Sequence, residues 1–118
     1  MELRDQAARD WTVTEPKVSE AVDRLVEAAH PRKLFLFGSY VRNEAGPDSD
    51  LDILVVSSDE VTDPRKESVR LRRVLRGIHM PVDILVVPES VFAAHRDTPG
   101  MVYREVMETG RLVYDSTR

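Results

Sequence analysis

Gly38-Ser39-Tyr40-Val41-Arg42-Asn43-Glu44-Ala45-Gly46-Pro47-Asp48-Ser49-Asp50-Leu51-Asp52-Ile53-Leu54-Val55-Val56 runs from a tight turn into an acidic strand, and that order decides how the chain is read. Glycine lets a backbone turn approach a polyphosphate closely, the serine after it supplies a hydroxyl, and a helix starting there would aim free N–H groups at the anion. Asp50 and Asp52 stand two residues apart at the start of an apolar run. Alternate side chains of a strand share a face, so both carboxylates point the same way. Two like charges a few ångströms apart repel and raise one pKa, a cost that a divalent cation offsets. A third carboxylate, Asp83, opens the run Val82-Asp83-Ile84-Leu85-Val86-Val87, which repeats the order of Asp52-Ile53-Leu54-Val55-Val56. If the two runs are neighbouring strands in register, the three carboxylates converge.

The flanking sequence predicts the layers around this stretch. Val18, Ala21, Val22, Leu25, Val26 and Ala29 recur at helical spacing, with Thr14 as N-cap, Pro16 in the first turn and an end near His30-Pro31. Leu34-Phe35-Leu36-Phe37, Leu51 to Val56 and Val82 to Val87 are apolar on both faces, as central strands covered by helices are. Asp63-Pro64 starts a helix carrying Val69, Leu71, Val74 and Leu75 and ending at Gly77. Pro88-Glu89 opens a helix to about His95, a last one runs from Pro99 to Thr109, and Leu112-Val113-Tyr114 adds an edge strand after Gly110. The expected fold class is α/β (α+β): a small mixed sheet flanked by helices.

At 118 residues, with 42% apolar and 32% charged residues, the chain is expected to form one domain over 1–118, with 1–14 poorly patterned. No apolar run approaches the ~20 residues a bilayer requires, and Met1 to Asp10 carries Arg4, Asp5, Arg9 and Asp10. The expectation is a cytoplasmic protein without a membrane partner. There is no cysteine, so a metal would be held by oxygen or imidazole, which points to magnesium or manganese. The net charge of −4 argues against broad nucleic-acid binding.

These residues resemble the motif of the nucleotidyltransferase superfamily that includes DNA polymerase β: Gly-Ser, a spacer of about ten residues, Asp-x-Asp and a distant third Asp. Ten residues separate Ser39 from Asp50. The chain is most similar to minimal nucleotidyltransferase (MNT) proteins, the antitoxin halves of HEPN/MNT toxin–antitoxin pairs, through Gly38, Ser39, Arg42, Ala45, Ser49, Asp50 and Asp52. The tail from Tyr103 to Tyr114 resembles the closing helix and short strand of that family, so the likeness spans about Lys17 to Asp115. Departures are Val41 in place of a small residue and Asn43 where many relatives carry glycine. The resemblance implies a polymerase β palm-like fold and two Mg2+ ions, or Mn2+. It implies that Asp50 and Asp52 bind both ions, that Asp83 binds the catalytic ion and activates the attacking hydroxyl, and that Gly38 and Ser39 hold the triphosphate. Arg42 is read either as a ligand for β- or γ-phosphate oxygens or as a solvated surface residue.

The leading expectation is transfer of AMP from ATP to a hydroxyl on a partner protein, a HEPN-type toxin, with a homo- or hetero-oligomer as the assembled form. The alternatives are a non-catalytic antitoxin that neutralises a partner by occlusion, and transfer to a small molecule such as an aminoglycoside. The Arg65, Lys66, Arg70, Arg72, Arg73 and Arg76 cluster reads most simply as the charged outer face of its helix. His30, His79 and His95 share no metal-ligand spacing, and Trp11, the phenylalanines and Tyr103 and Tyr114 read as packing residues. Tyr40 reads first as a packing residue and second as a nucleotide-pocket or acceptor residue.

Overall fold

A computed structural model describes residues 11–46 and 49–117. In chain order the elements are α1 (Glu15–Ala29), β1 (Lys33–Phe37), β2 (Leu51–Ser57), α2 (Pro64–Val74), β3 (Val82–Pro88), α3 (Glu89–His95), α4 (Val102–Thr109) and β4 (Arg111–Asp115). The helix-start signals read from sequence are in place, whereas α2 ends at Val74, short of the expected Gly77, because the chain tightens there into i→i−3 bonds, Arg76 N to Arg73 O and Ile78 N to Leu75 O. Thr14 Oγ1 accepts from Lys17 N at 3.4 Å at the start of α1, and Asp63 Oδ1 accepts from Lys66 N at 3.1 Å at the start of α2. His30, with φ of 45°, closes α1 in the left-handed region and donates its N–H to Val26 O. Helix α4 starts at Val102, later than Pro99, and ends at Gly110, where a Cβ would collide with Val106 O. No helix among the described residues is long and apolar enough to cross a membrane.

The strands form a mixed sheet in the order β3-β2-β1-β4. Strand β1 is antiparallel to both β2 and β4, while β2 and β3 are parallel and joined by the crossover through α2. Alternation divides the side chains between two apolar layers. Leu34, Leu36, Ile53, Val55, Ile84 and Val86 face α1 and α2, where Ala21, Leu25 and Leu71 are fully buried. On the opposite face Phe35, Leu54, Val56 and Val87 pack with Phe92 of α3 and Val106 of α4. Apolarity on both faces therefore reflects cover by helices. It does not make every such strand central: β3 is an edge strand, with Leu85 38% exposed. Val69 lies outside the buried stripe of α2, at 48% exposure, because Leu71 and Leu75, four residues apart, already fill it. Trp11 is 54% exposed and stacks on His79 with ring centroids 5.3 Å apart, so it covers the surface rather than filling the core.

Helices α1 and α2 cap each other. Arg24 of α1 donates to Val74 O at 3.2 Å and Arg76 O at 2.9 Å, carbonyls left without helical partners at the end of α2. In return Arg70 of α2 donates to Ala28 O at 3.1 Å near the end of α1. Each cation also faces the negative end of the other helix dipole. Arg24→Ala is expected to cost roughly 1 kcal/mol in urea unfolding with no change in m-value, the scale of one charge-assisted hydrogen bond at a partly exposed site.

Candidate active site

The β-pairing places the acidic residues. Asp52 is the register partner of Asp83 across the parallel β2–β3 pair, and of Phe37 across the antiparallel β1–β2 pair. All three therefore project to the face that carries α3 and α4. Together with Gly38, Ser39, Arg42 and Glu105 they line an open pocket of about 490 Å³, with Leu85 and Val102 as part of its apolar wall. Asp50 lies just before β2, exposed and outside that lining, although its charge is felt at Asp52. The structure thus brings together five of the six residues singled out from sequence: Gly38, Ser39, Arg42, Asp52 and Asp83. Glu105 of α4 joins them without any motif to announce it. Its spacing in α4 is that of an ordinary surface residue, and only the fold turns it towards the site.

The Gly-Ser segment is a turn. No helix starts there, because the chain enters it at Gly38 with φ of 83° and leaves it at Asn43 with φ of 59°, both in the left-handed region. Between them Arg42 N donates to Gly38 O at 3.2 Å and Glu44 N to Ser39 O at 2.9 Å. Asparagine is among the residues that tolerate this region best, which accounts for its standing where relatives carry glycine. Gly38 is required on a second count: a Cβ there would collide with Asp52 Oδ2. The turn is pressed against the carboxylate, so the Gly-Ser turn and the acidic strand form one surface.

Two arginines meet carboxylates at this site. Arg42 Nε donates to Glu44 Oε1 at 2.9 Å, and Arg42 Nη1 to Glu105 Oε2 at 2.8 Å. Arg72 Nη2 lies 3.4 Å from Asp83 Oδ1, with both side chains largely exposed. Most of the basic helix is the charged outer face expected of it, but Arg72 reaches the rim of the site. Tyr40 turns away from the pocket: its hydroxyl donates to Glu15, the Arg111 guanidinium lies 6.0 Å from its ring centroid, and it lines a separate cavity of about 290 Å³ with Val13 and Asn43. Burial, then the Glu15 carboxylate, push its hydroxyl above the usual tyrosine range. Among the described residues none of the three histidines lines the acidic pocket.

Burial raises the pKa of Asp52, and the charges of Asp83, Asp50 and Glu105 raise it further, while Arg42 opposes them. Such a site holds more negative charge than its own arginines balance. Its donors are hard oxygens, which suit magnesium or manganese. The pocket fits such an ion by chemistry, although among the described residues no three acidic or imidazole groups are already closed into a ligand set. Because the folded-state pKa of Asp52 lies above the ordinary value, the native state binds more protons than the unfolded chain between the two values, and stability falls as pH rises through that window. Asp52→Asn is therefore expected to melt at a higher temperature than the parent at neutral pH without metal, with the difference vanishing as pH falls below the ordinary carboxylate range. Gly38→Ala is expected to lose about 1–3 kcal/mol from backbone strain and collision; Asp52→Ala in the same chain should recover the collision part in denaturant unfolding.

Comparisons with known proteins identify the family and the fold. The model of the nucleotidyltransferase domain family matches residues 15–113. No match is found among curated proteins. A candidate nucleotidyltransferase from Sulfolobus solfataricus, solved at 1.40 Å resolution, superposes with a TM-score of 0.61 at 20% identity, covering 87% of this chain and 81% of its own. A toxin-antitoxin structure with AMP-PNP superposes at 0.57 and 19% identity, covering 88% of this chain and 75% of that one. A mutant of the toxin-antitoxin MntA-HpeT gives 0.58 and 18%, again with 88% and 75% covered. At these identities the structures establish a shared fold, and the family match covers most of the chain. The chain belongs to the nucleotidyltransferase domain family.

Proposed function

We propose that this chain is a metal-dependent nucleotidyltransferase that moves AMP from ATP to a hydroxyl of a partner protein, a HEPN-type toxin, and acts as that toxin's antitoxin. The observation that carries the reading is the register pairing of Asp52 with Asp83 on the wall of the pocket that also holds Gly38, Ser39 and Arg42. In the reaction the acceptor oxygen bonds to the α-phosphorus, the bond from that phosphorus to the bridging oxygen breaks, and pyrophosphate leaves while the hydroxyl gives up its proton. Asp50, Asp52 and Asp83 would hold two Mg2+ ions, or Mn2+. Bound there, such ions supply charge neutralisation for the nucleophile and the leaving group.

The chain's own residues have distinct tasks. Gly38 lets the backbone come close to the polyphosphate, and Ser39 offers its hydroxyl and N–H. Arg42 balances charge on the departing phosphates. Asp83, the most open of the pocket's aspartates, is assigned to the incoming hydroxyl. Among the described residues no element encloses the pocket as a lid, and the acceptor brings its own structure to it. Support for the toxin partner is the fold shared with toxin-antitoxin structures, and support for an adenine nucleotide is the AMP-PNP of one of them. Residues 1–118 acting as one domain in the cytoplasm belong to the same proposal.

A second reading has its own support. Arg42 and Asp83 are each already paired within the chain, as in a module that neutralises its partner by occlusion. Incubation with ATP, Mg2+ and a HEPN-type toxin that binds the chain separates the two. Transfer predicts a toxin heavier by one AMP in intact-mass spectrometry, pyrophosphate release, and about a hundredfold or greater loss in Asp52→Asn and Asp83→Asn. An unmodified toxin that both variants still inhibit would leave occlusion as the function.

A further inference from the structure

Glu105 is a carboxylate that neither the motif nor the reaction accounts for. It brings negative charge to a pocket where Asp52 and Asp83 already repel each other, and it is one of the charges that disfavour ionised Asp52. Its partner is Arg42 Nη1 at 2.8 Å, while Glu44 takes the Nε side of the same guanidinium at 2.9 Å. The Arg42 and Glu105 side chains are 36% and 43% exposed, so this is a rim pair rather than a buried bridge. Pairs of that kind contribute about 0–1 kcal/mol and exchange readily. A carboxylate oxygen on a guanidinium also has the charge and hydrogen-bonding geometry of a phosphate oxygen on it.

Resting on the reading of this pocket as a nucleotide site, we propose that Glu105 sets nucleotide affinity: it occupies Arg42 in place of a phosphate and gives it up when a nucleoside triphosphate binds. Glu44 keeps the guanidinium oriented through Nε during the exchange. Two effects of the Glu105 charge act in the same direction. It competes with phosphate for Arg42, and it repels the polyanion directly. Removing that charge while keeping the side chain's shape therefore strengthens binding, whereas a carboxylate that merely propped up Arg42 would weaken it when lost.

The test is calorimetric titration of AMP-PNP with excess Mg2+ into the parent, Glu105→Gln, Glu105→Ala, Arg42→Ala and the Arg42→Ala/Glu105→Gln double variant, each checked for an unchanged thermal melt. The expected result is binding about two- to fivefold tighter in both Glu105 variants, the range set by one exposed ion pair. Arg42→Ala should bind more weakly, and the gain from Glu105→Gln should shrink in its background, since the two residues act as a unit. Equal or weaker binding in both Glu105 variants overturns the proposal, as does an undiminished gain without Arg42. Absence of nucleotide binding in the parent overturns the nucleotide site itself, a different failure from either of these.

Discussion

The parallel pairing of β2 with β3 is the constraint on which the rest of this molecule depends. Parallel strands need a crossover, and α2 supplies it while covering one face of the sheet. In-register pairing then sets residue against residue along the whole ladder, from Leu51 and Val82 to Ser57 and Pro88. Asp52 therefore stands beside Asp83 by the same geometry that aligns Ile53 with Ile84 in the core. A slip of one residue would turn Asp83 to the opposite face and expose Ile84 and Val86. The apolar residues that are buried most completely thus fix the position of the charged ones.

That arrangement leaves a site at odds with itself. Burial and neighbouring negative charges work against ionised Asp52, and Gly38 gives up its side chain so that the turn can lie against it. Stability would favour an amide at position 52, yet the chain carries a carboxylate there. Local conflicts of this kind mark places where a protein meets a ligand rather than places that hold it together. The two arginines at the site are part of the same balance. In the chain alone, Arg42 meets the carboxylates of Glu44 and Glu105 and Arg72 meets that of Asp83. The pocket is partly neutralised by internal partners of the same charge types that a metal-nucleotide would bring.

Much of the architecture was legible because local chemistry dictates it. Thr14 and Asp63 cap helices wherever they precede a helical apolar pattern, and Gly110 ends one because a side chain there meets the backbone of Val106. Aliphatic runs between turn residues form strands. The edge position of β3 was not legible, since an edge strand covered by helices on both faces has the same composition as a central one. Whether a helix starts after Gly38 was not legible, because the backbone angle at Asn43, which interrupts the turn, leaves only a weak trace in residue identity.

The sequence by itself determined which residue types could do chemistry and at what spacing: a Gly-Ser turn, an Asp-x-Asp entering an apolar strand, and a second aspartate-led strand of matching pattern. These are local facts, set by the two-residue period of a strand and the conformational freedom of glycine. Only the tertiary structure decided that Asp52 faces Asp83, that Asp50 stands outside the pocket lining, that Tyr40 turns towards Glu15, and that Glu105, 63 residues beyond Arg42, meets it across the pocket. Contacts between residues far apart in the chain depend on how packed layers align, and no single stretch of sequence records that alignment.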